Sequence, residues 1–221
     1  EAVRNTGKPT VVVLVNARPL TINWIAEHVP AILEAWNPGE QGGTAVAETL
    51  FGDYNPGGKL PITFPRHVGQ LPVYYNYEPG CHTTSYCDGT PFDPLYVFGF
   101  GLSYTKFQHG EVKLSKKKIK AGETLEVSVE VQNVGERAGD EVMQLYIHDD
   151  YCTVMRPVME LKGFERVNIR PGEKKTVTFT LGADDLAFYN RDMKRVIEPG
   201  TFSIMVGNSS KNVQTAIVEA M

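Results

Sequence analysis

Phe51-Gly-Asp-Tyr-Asn-Pro-Gly-Gly-Lys-Leu-Pro-Ile-Thr-Phe-Pro65 ends one local structure and opens another. Apolar residues at 46, 47, 50 and 51 recur at helical spacing, so Gly42 to Phe51 reads as a helix. Gly52 supplies the left-handed residue that ends such a helix. The Asp, Asn, Pro and Gly residues that follow form a turn, with Asp53 and Asn55 bonding their own backbone. Lys59 to Phe64 then reads as a short strand fenced by prolines.

Working upstream, Val11-Val-Val-Leu-Val15 is an unbroken β-branched run of the kind buried on both faces of a parallel sheet. Thr21 to Glu27 reads as a short helix with Thr21 at its N-cap. Ala31 to Trp36 is a second buried strand. The rhythm is β-α-β-α-β, that of an α/β layered domain. Three strands and two helices leave sheet faces and edges uncovered, so residues 1–65 are expected to be the last part of a larger α/β domain with a partial, parallel-type sheet. The opening Glu1-Ala-Val-Arg-Asn-Thr-Gly7 resembles the tail of a helix, which points to residues upstream or on another chain.

Working downstream, residues 66–105 are rich in Tyr, Pro, Gly, Asp and Thr with weak periodicity, as expected of a linker that wraps another part of the protein. From residue 106 the pattern changes. Thr124 to Val131 alternates strictly between polar and apolar, and Glu141–Ile147, Lys175–Leu181 and Thr201–Val206 do so with slips. Asn133-Val-Gly135, Pro171-Gly172, Pro199-Gly200 and Gly207-Asn208 supply turns between them. Residues 106–221 are therefore expected to form an all-β, immunoglobulin-like sandwich without the paired cysteines of antibody domains.

The chain has 221 residues, of which 42% are hydrophobic and 22% charged, a globular composition. Residues 1–105 hold 5 basic and 9 acidic side chains and residues 106–221 hold 17 of each, so no basic surplus attracts nucleic acid. No apolar run approaches the ~20 residues of a membrane helix. Cys81 and Cys87 either close a disulfide in an oxidising compartment or stand as two free thiols, and with Cys152 they make no zinc pattern.

Each motif has a plain structural reading beside its chemical one. Asn37-Pro-Gly-Glu-Gln-Gly-Gly43 opens a helix, but lacks both nucleotide-binding glycine spacings, so its glycines serve a tight turn and close packing. Asp53 and Asn55 have calcium-loop spacing without the later ligands. Glu27, Glu34, Glu40, Glu48 and Asp53 form no evident catalytic pair, and the five histidines are scattered. No cofactor is expected. Tyr77, His82, Tyr86 and Asp88 are the candidates for sugar contact, since exposed rings stack on sugars and polar side chains bond hydroxyls. The alternative is that these tyrosines anchor the wrapping segment to its own protein.

Taken in order, Ala31-Ile-Leu-Glu-Ala-Trp-Asn-Pro-Gly-Glu-Gln-Gly-Gly43, Leu50 to Pro65, Gln70-Leu-Pro-Val-Tyr-Tyr-Asn76, Pro94 to Thr105 and Leu161-Lys-Gly-Phe164 resemble the C-terminal part of family 3 glycoside hydrolases, the β-glucosidase-like group ending in a fibronectin type III-like domain. Val97 stands where that family commonly has proline, and the Cys81–Cys87 loop has no counterpart in the pattern. The resemblance implies a retaining, exo-acting enzyme with a barrel that carries an aspartate nucleophile in a Ser/Thr-Asp-Trp string. An α/β sandwich domain with the glutamate acid/base follows. The chain has no Asp-Trp dipeptide and the acid/base segment would precede residue 1, so no catalytic residue is assigned to any position. The implied partners are the missing barrel, the first part of the α/β domain, and a β-linked glucoside. The implied location is periplasmic or extracellular. The rival reading is a non-catalytic module for carbohydrate binding or protein interaction.

Overall fold

The computed structural model describes residues 1–80, 89, 91–120 and 122–221. It opens with a short helix α1 (Ala2–Asn5), strand β1 (Val11–Leu14), helix α2 (Asn23–His28), strand β2 (Ala31–Glu34) and helix α3 (Gly42–Phe51). β1 and β2 pair in parallel, Val11 opposite Ala31 through Leu14 opposite Glu34. The two strands and the long helix lie where the residue patterns place them. The burial differs from expectation. Val11 is exposed, the rest of β1 is half-buried, and Val15 just beyond the strand is exposed. On α3 the apolar stripe of Ala47, Leu50 and Phe51 faces away from this chain, while Gly42 and Thr49 are buried.

Two local expectations are corrected. α2 begins at Asn23 with Ile22 in the cap position, so Thr21 is not its N-cap. Lys59 to Phe64 is not a strand. The segment lies along residues 95–100, with Leu60 N–H donating to Phe100 O (2.8 Å), Gly99 N–H to Leu60 O (2.8 Å) and Phe64 N–H to Tyr96 O (2.9 Å). Only Phe64 and Tyr96 form a ladder-type bridge. Pro61 lacks an N–H and Pro65 ends the run, which leaves too few donors for a continuous ladder.

The second half is a two-sheet sandwich. β3 (Phe107–His109) and β4 (Lys113–Leu114) pair with the same edge of β6 (Leu125–Asn133). The other edge of β6 pairs with β9 (Lys174–Leu181). The facing sheet runs in the order β5 (Lys118–Ile119), β13 (Val213–Ala220), β12 (Gly200–Gly207), β7 (Gly139–Asp149), β8 (Glu160–Ile169). A short helix α4 (Ala183–Leu186) and the hairpin of β10 (Phe188–Tyr189) with β11 (Arg195–Val196) complete it. β6 buries every second residue, and its Leu125, Val127, Val129 and Val131 meet Met143, Leu145 and Ile147 of β7 and Phe202, Ile204 and Val206 of β12 in one core. Period-2 burial on two facing sheets is what the alternation implies.

β7 is buried on its other face as well. Tyr146 there, with Met159 and Met205, packs against Tyr75 and Phe98 of the segment between the two halves. Tyr75 and Phe98 of that segment thus cover the outer face of β7 around Tyr146. β8 and β13 are not evident as strands in the sequence. β8 carries Gly163, exposes Phe164, and slips register against β7 at Leu145/Tyr146, so its alternation is broken.

Candidate functional site

The segment after Pro65 is held at both ends. Asn23 Nδ2 donates to Arg66 O (2.7 Å), and Arg66 N–H donates to Gln70 Oε1 (2.7 Å). Gln70 is buried, and its Nε2 reaches Phe92 O (2.8 Å) on the returning part of the segment. Arg66 Nε also donates to Asp93 O (2.9 Å). Tyr75 is the inner anchor. Its ring stacks on Phe98 at 4.3 Å and meets Tyr146 edge-on at 5.8 Å, and its hydroxyl accepts from Leu161 N–H (3.3 Å).

That anchoring sorts the tyrosines. Tyr75 packs against the outer face of the five-stranded sheet, while Tyr74 and Tyr77 are exposed; the chain turns at Tyr75–Asn76, so Tyr77 does not follow Tyr75 onto that face. Tyr77 O accepts from Val158 N–H (2.9 Å), which ties the candidate residue to the β7–β8 connection. His82, Tyr86 and Asp88, and the Cys81–Cys87 pair, lie outside the described residues. Cys152 is a free thiol whose Sγ donates to Val154 O (2.9 Å).

A second group forms at the carboxyl ends of β1 and β2, the side on which parallel sheets place their ligand loops. The Glu34 carboxylate accepts from Asn16 Nδ2 (3.2 and 3.3 Å) and from Trp36 N–H (3.0 Å). Trp36 has φ 51°, a left-handed conformation rare for a large side chain, and its ring packs on Phe64 at 5.9 Å. The glycines of the following loop act as expected. Gly39 has φ 73°, and a Cβ on Gly42 would lie 2.6 Å from the Pro38 ring.

The strongest electrostatic feature was not anticipated. Glu141 is buried, with Lys59 Nζ 2.8 Å from Oε1 and His109 Nε2 3.4 Å from Oε2. Val142 N–H (3.0 Å) and Asn208 Nδ2 (3.4 Å) also donate to it. Burial by itself would raise this carboxyl. The His109 hydrogen bond, the Lys59 charge and the backbone N–H outweigh burial and hold it down to about 2. The clue was available, because Glu141 falls on the inward phase of β7 with Met143, Leu145 and Ile147. Its partner Lys59 is too distant in sequence to be inferred. All four donors are the protein's own, so the cluster is a closed ionic contact and not an open reaction centre. Among the described residues no group of three or more His, Cys, Asp and Glu is placed to hold a metal.

Asn55 is corrected too. It bonds across the molecule, not to its own turn. Its Nδ2 donates to Ala138 O (2.9 Å), and its Oδ1 accepts from Ser103 Oγ (3.0 Å) and Tyr104 N–H (2.8 Å). Asp53 stays exposed.

Comparison with known proteins agrees with this architecture. Residues 1–104 match the glycosyl hydrolase family 3 C-terminal domain, and residues 141–210 match a fibronectin type III-like domain. A β-xylosidase of Formosa agariphila is 54% identical over 96% of this chain and 30% of its own length. A periplasmic β-glucosidase of Salmonella typhimurium is 44% identical over 100% of this chain and 30% of its own length. The crystal structure of a Listeria innocua β-glucosidase in complex with glucose superposes with a TM-score of 0.94 at 41% identity, covering 99% of this chain and 32% of that one. The chain thus spans about 30% of the length of the curated relatives it matches. With both domains matched in order, the chain belongs to glycosyl hydrolase family 3, as the C-terminal domain of that family joined to its fibronectin type III-like domain.

Proposed function

We propose that this chain is the C-terminal portion of a retaining, exo-acting β-glucosidase-like hydrolase that removes terminal β-linked sugars by double displacement. The observation that carries this is identity of 54% and 44% to a β-xylosidase and a β-glucosidase across nearly the whole chain. In this reading the chain supplies scaffold and one wall of the sugar site, with Tyr77, His82, Tyr86 and Asp88 as the sugar-contacting candidates. Both catalytic carboxylates lie outside it, on the barrel and on the earlier part of the α/β domain. Its own chemistry supports that division. The two buried carboxylates among the described residues, Glu141 and Asp149, both sit on sandwich strand β7, and Glu141 is consumed by Lys59 and His109. A periplasmic or extracellular location is proposed from the relative named for the periplasm.

The purified chain is expected to give no turnover of aryl β-glucosides or aryl β-xylosides. Turnover that disappears when a carboxylate within the chain is replaced by its amide would overturn the assignment of catalysis to residues outside it.

A further inference from the structure

Groups from the sandwich and from the segment that leads into it converge on the end of one helix. α3 ends at Gly52, whose φ of 85° turns the chain so that both Gly52 N–H (3.0 Å) and Tyr54 N–H (3.1 Å) reach Glu48 O. Gly52 N–H also reaches Thr49 O (3.2 Å), and two carbonyls at this end accept further bonds from outside the helix. Tyr104 hydroxyl donates to Thr49 O at 2.7 Å, and the Arg137 guanidinium donates to Gly52 O. Arg137 comes from the β6–β7 turn and also lies over the Tyr104 ring, 5.8 Å from its centre. A cation at a helix C-terminus is favourable because the aligned peptide dipoles leave negative charge there.

The residues just beyond the helix press into the same surface. A Cβ on Gly57 would lie 2.8 Å from Asp140 Cβ, and one on Gly139 would lie 2.6 Å from Asn55 Nδ2. Backbone and sandwich are therefore in direct contact, which only glycine permits at both points. Tyr54 hydroxyl accepts from Arg166 of β8 (2.9 Å), whose Nε also donates to Asp140 (2.7 Å). Beneath this polar rim lies the Lys59–Glu141–His109 contact, with Lys59 and Glu141 side chains 9% and 3% exposed.

We propose that the fibronectin type III-like sandwich is a clamp that caps the C-terminus of α3, closed by the buried Lys59–Glu141 contact. A buried charge is costly without its partner, so partial docking, with Glu141 covered but Lys59 absent, is disfavoured. Docking is accordingly all-or-none. Because α3 is rigid and starts directly after the Trp36–Gln41 loop, its clamped end fixes that loop at the carboxyl end of β2. The clamp acts on the α/β part without touching any sugar.

The test is amide hydrogen exchange on the full chain, comparing the α3 amides Val46 to Gly52 with those of β6. Arg137→Ala and Lys59→Met are each expected to speed α3 exchange about tenfold or more while β6 keeps its protection. In the double variant Lys59→Met/Glu141→Gln, the effect on α3 is expected to fall short of the product of the two single effects, because the two side chains act on each other. Unchanged α3 exchange in Arg137→Ala and Lys59→Met overturns the clamp. Equal acceleration in α3 and β6 overturns it as well, since the two parts would then open as one unit. Arg137 and Asn55 lie outside the sandwich core, so Arg137→Ala and Asn55→Ala keep the test open if Lys59→Met does not fold.

Discussion

Asp149, at the end of β7, is 7% exposed, and its Oδ2 has no hydrogen-bond partner among the described residues. Burial pushes its carboxyl up to about 6. The Tyr151 backbone N–H and the Arg156 and His148 charges pull against this, and Glu198 adds to it. The folded chain thus holds this proton more tightly than the unfolded chain, where the group titrates near ~4. Its contribution is fully present below about pH 4 and is lost as pH rises through about 6, a swing of up to about 3 kcal/mol. Asp149→Asn is therefore expected to stabilise the protein by about 2 kcal/mol near pH 8 and to leave it almost unchanged near pH 4. Thermal unfolding of both proteins at the two pH values measures this, and an equal gap at both would show that the carboxyl is not the cause. Glu141, on the same strand, is the opposite case. Burial acts on it too, but it has a cation and a histidine and is held down to about 2. The difference lies in partners that are distant in sequence, so neither value is legible from β7 alone.

At the scale of elements, legibility follows how locally each element is determined. β6 was readable because its burial alternates without a break, and α3 because its spacing and the glycine after it agree. Lys59 to Phe64 reads as a strand because its apolar residues lie between prolines. Its actual partner is the 95–100 segment, and only tertiary pairing shows that. Asn55 looked like a turn residue because Asp and Asn bond locally in isolated peptides. In the fold Ala138, Ser103 and Tyr104 compete successfully for its amide. That Tyr75 turns inward while Tyr74 and the candidate Tyr77 stay exposed depends on the position of Tyr146, which is distant in sequence. Alternation on β6 carries a direct test. Leu125→Ala removes a side chain that is 0% exposed and is expected to cost about 3 kcal/mol. Glu126→Ala, one residue along and exposed, is expected to stay within about 0.5 kcal/mol. Urea unfolding separates the two, and comparable losses would mean that the pleat is assigned to the wrong face.

For the whole molecule, the unequal distribution of core decides which parts can stand alone. The large cluster is built from the sandwich, whereas residues 1–65 contribute Ile22, Val29 and Phe64 as buried hydrophobics and leave Val11, Val15, Leu20, Leu50, Phe51 and Ile62 exposed. Residues 1–65 alone are expected to show no cooperative transition as a monomer, because so small a core does not offset chain entropy. The sandwich raises a finer question, since a cut at residue 106 passes between its strands and their cover. Tyr146, Met159 and Met205 lie under Tyr75 and Phe98, so residues 106–221 alone would expose three large apolar side chains, Tyr146 and Met205 on the outer face of the five-stranded sheet and Met159 just before β8. Each is worth about 1.5–3 kcal/mol when fully buried. Residues 66–221 are therefore expected to exceed residues 106–221 in unfolding free energy by several kcal/mol, with a larger slope against urea because more surface is exposed on unfolding. Equal midpoints and slopes for the two fragments would show that the wrapping segment merely lies on the sandwich. A cooperative monomeric transition for residues 1–65 would show that the α/β part needs neither the clamp nor any further strand to fold.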